Sequence, residues 1–365
     1  MKNSSTNTPA LPAKPTRRRS ALAAKLLLLA ITGTLCLGAL EFLVRTFLPY
    51  CNPNTQIPFF MSDEGVVLGQ RSTTSRQRTP KGDFDITVSF NRHGFRDAKD
   101  YTQAASNDVF VVGDSFSIGW GVEEKERFSN LLEQKLTKPI FNIAIPEDIR
   151  GYARTIQYVE RHGAHPQHII LGLCMENDLW DYDSVASTHE LYQRQMVRTF
   201  RHRAAVWIKG HSAIWIACSQ VIQRQAGLRR FFEKIGIARN IDELTHKNES
   251  SPQILDSSRR ELLKLLANRH AVLLIVPSRG LWYGKNIAVE QTVHDQFVQS
   301  LRDARVPLVD MRPIFEQTGD PLAFYFRNDP HWNPRGHAAA AEALARYFAQ
   351  TEDWSFLRSP TPARP

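Results

Sequence analysis

The chain has 365 residues, 42% hydrophobic and 23% charged, with a formal net charge of +9. These proportions exclude a disordered or collagen-like chain and leave length for one large α/β domain plus an attachment. The positive excess is also placed wrongly for a nucleic-acid groove: Lys2, Lys14, Arg17, Arg18, Arg19 and Lys25 all precede the first acidic residue, Glu41, and border an apolar segment. No nucleic-acid partner is expected.

In chain order, residues 1–20 read as a polar, basic tail. From Leu26 to Leu40 no residue is charged. That run alone spans only ~23 Å as a helix, short of a ~30 Å hydrocarbon core. Extended over 21–48, with Lys25 and Arg45 snorkelling at its ends, it is long enough to cross. Leu37-Gly38-Ala39 runs straight on into Leu40-Glu41-Phe42 without a small-x-small cleavage site, so an uncleaved transmembrane anchor is expected rather than a removed signal. Glu41 is a cost that requires a place near the far interface. Arg17-Arg18-Arg19 sets the N-terminus in the cytoplasm and exports the remainder.

Residues 49–105 are expected to form a juxtamembrane linker and N-terminal strands. Pro, Thr, Ser, Arg and Gln dominate 49–82, which leaves one short strand at most, whereas 84–92 alternates as a half-exposed strand does. From 106 to 350 the pattern is that of one α/β domain. Strands are predicted at 109–112, 139–144, 168–174, 271–276 and 306–310, and helices at 126–136, 151–163, 290–304 and 336–349. This alternation implies a parallel sheet covered on both faces. Residues 180–262 interrupt it as a basic helical insertion with apolar stripes (Trp207, Ile208, Ile214, Trp215, Val221, Ile222), read as ordinary helices packed near the carboxyl edge of the sheet. Residues 351–365 read as a tail.

Two segments carry the chemistry. Val109-Phe-Val-Val112 is a buried strand stopped by Gly113-Asp114, so Ser115 falls at the carboxyl edge of the sheet, where open α/β folds place ligands. A serine hydroxyl is a poor nucleophile at neutral pH and needs a base. Asp329-Pro330-His331 supplies one: in extended backbone, residues two apart face the same side, and Pro330 favours that conformation at Asp329. The carboxylate would fix the imidazole tautomer while His331 takes the serine proton. Two further strands end in Asn142 and in Glu176-Asn177-Asp178, and side-chain amides suit the developing oxyanion of acyl transfer. His337 reads as structural, and His93, His162, His165 and His168 as isolated residues without partners. The four cysteines, Cys36, Cys51, Cys174 and Cys218, have no CxxC spacing and suggest neither a disulfide framework nor a metal site.

Gly113-Asp114-Ser115, the Gly-containing stretch Asn142–Gly151, Glu176-Asn177-Asp178 and Asp329-Pro330-His331, in this order, resemble the SGNH/GDSL hydrolase superfamily. The resemblance covers about 106–350. It implies a flavodoxin-like three-layer sandwich with a parallel sheet, here preceded by one transmembrane helix and carrying a helical insertion. It implies catalytic Ser115, His331 and Asp329, and an oxyanion hole from Ser115, Asn177 and Gly151, with Ala144 as the competing position to Gly151. Asn91-Arg-His-Gly-Phe-Arg-Asp97 and His331-Trp-Asn333 further resemble membrane-anchored bacterial members associated with polysaccharide acylation. The expectation is a single-pass inner-membrane serine esterase with a periplasmic domain, acting on acyl, above all acetyl, esters of envelope or exopolysaccharide carbohydrate without metal or organic cofactor. Two alternatives stand beside it: a polysaccharide O-acetyltransferase, and a non-catalytic carbohydrate-binding or assembly protein of the same fold. The expected partners are the acylated carbohydrate or another ester, the membrane, and polysaccharide biosynthesis or export machinery.

Overall fold

In the computed structural model, residues 17–52, 57, 59–79, 82–183, 211–225, 227–228, 231 and 251–357 are described. Five parallel strands form the central sheet: β5 (Val109–Gly113), β6 (Ile140–Asn142), β7 (His168–Cys174), β8 (His270–Val276) and β9 (Leu308–Asp310). They follow β1 (Phe59–Met61), β2 (Val67–Gly69), β3 (Thr74–Arg78) and β4 (Asp85–Ser89), which form two antiparallel pairs, β1 with β2 and β3 with β4. The spatial order of the central sheet is β6-β5-β7-β8-β9. This is the flavodoxin-like order, whose direction of winding reverses between β5 and β7.

Strand period two divides the core between the faces of the sheet. Phe110, Val112, Ile169, Leu171, Leu173, Leu273 and Ile275 meet Ile149, Tyr152, Ile156 and Val159 of one helix and Val293, Phe297 and Leu301 of another. Val109, Val111, Ile170, Val272, Leu274 and Val276 face the other way, onto Phe128, Leu132, Ala340, Leu344 and Phe348. The nine helices assigned among the described residues are α1 (Arg17–Phe47), α2 (Ser115–Ile118), α3 (Phe128–Leu136), α4 (Ile149–Arg161), α5 (Ala213–Arg224), α6 (Pro252–Leu266), α7 (Ile287–Asp303), α8 (Met311–Glu316) and α9 (Pro334–Gln350). The α/β sandwich expected from sequence is therefore the architecture present.

Several boundaries differ from expectation. The 49–82 region holds three strands rather than one at most, because Val66 and Leu68 are buried in the main core and Gln77 is buried against the Gly121 N–H, while much of the rest of its polar surface is exposed. Within the expected insertion, α6 belongs to the sheet's cover: Leu255, Leu262 and Leu265 join the first core face. Much of the rest of 180–262, including Trp207 and Ile208, lies outside the described residues. The expected tail is anchored as far as Leu357, since Trp354 and Leu357 are buried beside Phe348.

Within α1, Ala24–Phe47 is long and apolar enough to cross a membrane by length and composition. Glu41, a cost in the sequence reading, has partners. Its carboxylate accepts from the Ser212 hydroxyl at 3.0 Å and from the N–H groups of Ala213 at 2.7 Å and Ile214 at 3.1 Å, capping α5, and it pairs with Arg45 at 2.8 Å. First-turn N–H groups have no intrahelical acceptor, so the carboxylate satisfies donors that burial would otherwise strand.

Candidate active site

Ser115 stands at the first position of α2, directly after β5, and Asn177 follows β7, so both occupy the carboxyl edge where the winding reverses. The turn at Ser115 depends on close backbone approach. Gly113 has φ +149°, and a Cβ there would lie 2.3 Å from the Ser117 hydroxyl and 2.6 Å from the Gly172 carbonyl. Asp114 caps α2 by accepting from the Phe116 N–H at 2.9 Å. Gly119, with φ +84°, ends the helix after one turn in the left-handed conformation.

The His331 Nε2 lies 2.8 Å from the Ser115 Oγ, and its Nδ1 lies 2.6 Å from the Asp329 Oδ1. Burial works to raise the Asp329 pKa, but the hydrogen bonds and charge of His331, aided by the Trp120 indole, outweigh it and hold the carboxyl below its usual range. An ionised carboxylate only accepts, so the His331 Nδ1 carries the proton and Nε2 faces the serine hydroxyl as acceptor. Phe116 and Trp120 flank the imidazole, with ring centroids at 4.9 Å and 5.4 Å. Asn328 turns away, donating its N–H and amide to Asp83.

The backbone around Asp329 is not the extended run expected. It is a bend closed by the Tyr325–Trp332 bridge, and Asp329 Oδ1 also accepts from the His331 N–H at 3.0 Å. One carboxylate thus fixes both the loop and the ring.

Asn177 donates its side-chain amide to the Asp114 Oδ2 at 3.3 Å and lines the pocket beside Ser115. The Ser115 N–H is a first-turn donor without an intrahelical acceptor. Gly151 is not brought to this centre. It lies in the first turn of α4, and its N–H donates to the Asp148 Oδ1 at 2.9 Å. The Ala144 N–H is likewise engaged, by the Asn142 Oδ1 at 3.1 Å. The Asn142 amide is buried and donates to the Ser117 carbonyl and the Ser129 hydroxyl, so it braces the Ser115 turn from below.

Sequence reasoning missed the supporting groups. Burial raises the pKa of Asp114, and raises that of Asp178 further. Asp178 accepts from the Tyr152 hydroxyl at 2.8 Å and the Cys174 N–H at 2.7 Å. The Gly-Asp-Ser and Asn-Asp pairs were the available signal, each placing a carboxylate next to a candidate. Burial also pushes Glu147 up to about 7. His93 and His162 have partners, contrary to expectation: Asp100 at 2.9 Å and the Tyr158 carbonyl at 2.8 Å. His337, read as structural, is buried and driven down to about 3 by desolvation and by Arg127 and Arg96.

Residues 242–360 match a family model described as SGNH hydrolase-like domain, acetyltransferase AlgX. Solved structures with a similar chain course include a lipolytic protein of the G-D-S-L family from Veillonella parvula DSM 2008 (10% identity, 67% of this chain and 99% of that one, TM-score 0.38). A G-D-S-L family lipolytic protein from Desulfitobacterium hafniense DCB-2 is 8% identical over 66% of this chain and 99% of that one, at TM-score 0.37. A carbohydrate esterase of family 2 from Corynascus thermopiles is 12% identical over 67% of this chain and 65% of that one, at TM-score 0.33. No curated protein matches the chain. The five-stranded parallel sheet, and over residues 242–360 the family model, agree with the resemblance to the SGNH/GDSL superfamily drawn from the sequence.

Proposed function

We propose that the protein is a serine esterase that works through an acyl-enzyme, acting on acyl esters of carbohydrate outside the cytoplasm. One observation carries the reading: the continuous Ser115–His331–Asp329 hydrogen-bond chain at the edge of the sheet. In the proposed reaction the Ser115 Oγ attacks the ester carbonyl as its proton passes to the His331 Nε2, and Asp329 stabilises the imidazolium. The Ser115 N–H and the Asn177 amide bind the oxyanion; loss of one such donor typically costs about 10²–10³ in rate. Collapse breaks the ester C–O bond, and His331 returns the proton to the departing alcohol. In the second half His331 deprotonates the acceptor, which attacks the acyl-enzyme and frees Ser115.

The family description names an acetyltransferase and so favours a second reading at this step, in which the acyl group passes to another hydroxyl rather than to water; a sugar hydroxyl is the acceptor we propose. The basic stretch Arg17-Arg18-Arg19 ahead of the apolar helix supports a cytoplasmic N-terminus, an inner-membrane anchor and a periplasmic site, where acylated polysaccharide and its export machinery would be the partners.

The test uses the full chain in detergent, a serine-directed fluorophosphonate and 4-nitrophenyl acetate. Wild type should be labelled and should turn over the ester, whereas Ser115→Ala should do neither while remaining folded. Unlabelled, inactive wild type would overturn the esterase reading in favour of the non-catalytic alternative. Transfer is read by adding a glycan: acetate appearing only in solution removes the acyltransferase.

A further inference from the structure

Two clefts meet at Ser115. One, of about 320 Å³, lies on the His331 side against Phe116, Trp120 and Pro330. The other, of about 450 Å³, extends past Asn177 and is lined by Phe59, Glu147, Asp148 and Trp180. Both contain Ser115 and Asn177, so an ester carbonyl held there would send its acyl part into one and its alcohol part into the other.

The second cleft has an unusual acceptor. Asp148 is only 3% exposed, and its Oδ1 is used by the Gly151 N–H, yet its Oδ2 is buried with no hydrogen-bond partner among the described residues. A buried acceptor left unpaired is costly, and native structures seldom keep one without a role. Around it the chemistry is mixed. Glu147 lies beside it with Arg154 at 3.2 Å. The Trp180 side chain is locked, its backbone N–H on the Ser258 hydroxyl and its indole N–H on the Asn177 carbonyl. Phe59 supplies a further apolar wall from the N-terminal hairpin. Carboxylates that accept from hydroxyls, set beside aromatic surface that covers C–H faces, suit a polyhydroxylated ring better than an alkyl chain.

We propose that this cleft is the subsite for the sugar ring bearing or receiving the acyl group, with Asp148 Oδ2 accepting from a ring hydroxyl and Trp180 and Phe59 packing on its apolar faces. The assignment rests on the esterase or acyltransferase reading above and adds the residues that select the alcohol part.

The experiment compares two probes on the full chain in detergent: methyl glucoside carrying a single acetyl ester, and 4-nitrophenyl acetate. The readout is the ratio of their kcat/KM values. Asp148→Asn keeps an Oδ1 that caps the Gly151 N–H, since Asn is as good an N-cap as Asp, but replaces the unpaired acceptor with an amide. Phe59→Ala removes the apolar wall without touching α4. Each variant should lower the ratio about tenfold, through a higher KM for the sugar ester, as expected for one lost charge-assisted hydrogen bond or one lost packing surface. An unchanged ratio in both variants, with both esters still turned over, overturns the subsite and leaves the esterase reading standing. Wild type that turns over neither ester overturns that reading and the subsite with it.

Discussion

Asp329 meets its partner by folding back two residues, so a single carboxylate orients the His331 ring and closes the loop that carries it. Asp329→Asn should keep the loop, because an amide oxygen still accepts from the His331 N–H, while favouring the wrong tautomer. The expected outcome is a kcat loss of about 10⁴ with unchanged thermal unfolding. Asn328→Ala, which removes only a side-chain contact with Asp83, should stay within about twofold of wild type in 4-nitrophenyl acetate hydrolysis. If the two losses were equal, Asp329 would not be the orienting group. The meeting of Ser115, His331 and Asp329 was legible because few residue types can form such a hydrogen-bonded chain, and because a buried strand ending in Gly-Asp sets the next residue at the edge of the sheet. Gly151 misled because a glycine near a strand end looks like an open loop. The corrective signal was Asp148 three residues before it, the spacing of an N-cap with its N3 amide. The inward turn of Asn142 had no such sign, since it is decided by Ser117 and Ser129 packing beneath it.

At the scale of elements, the loop Asn91–Asp97 acts as a brace for the turn that carries Ser115. Arg96 is buried and donates to the carbonyls of Ile118, Gly119 and Val122, the residues that follow Ser115. Arg127, also buried, donates to the Arg96 carbonyl. Asp97 accepts from the Asn142 N–H at 2.6 Å and so ties the same loop to β6. Desolvation, and then the neighbouring Arg127, lower the Arg96 pKa to about 9; the guanidinium is kept because it satisfies three carbonyls at once. Arg96→Met would strand those acceptors. A destabilisation of ~3 kcal/mol is expected in urea unfolding, with the surviving folded fraction losing kcat more than KM as the Ser115 turn loosens. An unchanged unfolding midpoint would show that the carbonyls find water instead. Sequence reading singled out this loop only through resemblance, because its role depends on contacts with residues more than twenty positions away. The three strands of 49–82 were obscured for the same reason: their polar composition resembles a linker, and tertiary packing of Val66, Leu68 and Phe59 is what holds them.

For the whole molecule, the alternation of strands and helices made the sheet legible, because strands buried on both faces must be apolar throughout and crossovers between them must be helical. Sheet order was not legible in that pattern, nor was the pairing of α1 with α5, which depends on Glu41 reaching the Ser212–Ile214 backbone across the chain. This junction forms a small cluster of its own, Val44 and Leu48 against Cys51, Ala213 and Ile216, separate from the two core faces that position Ser115 and His331. Distant sites without shared partners contribute nearly independently. A chain lacking residues 1–48 should therefore be released from membranes and hydrolyse 4-nitrophenyl acetate with kcat/KM within about twofold of the full chain. Exchange of the Ala213 and Ile214 amides should quicken by about tenfold, since their cap leaves with Glu41. A folded truncation, verified by circular dichroism, that lost most of its ester turnover would place the apolar N-terminal helix within the functional assembly rather than beside it.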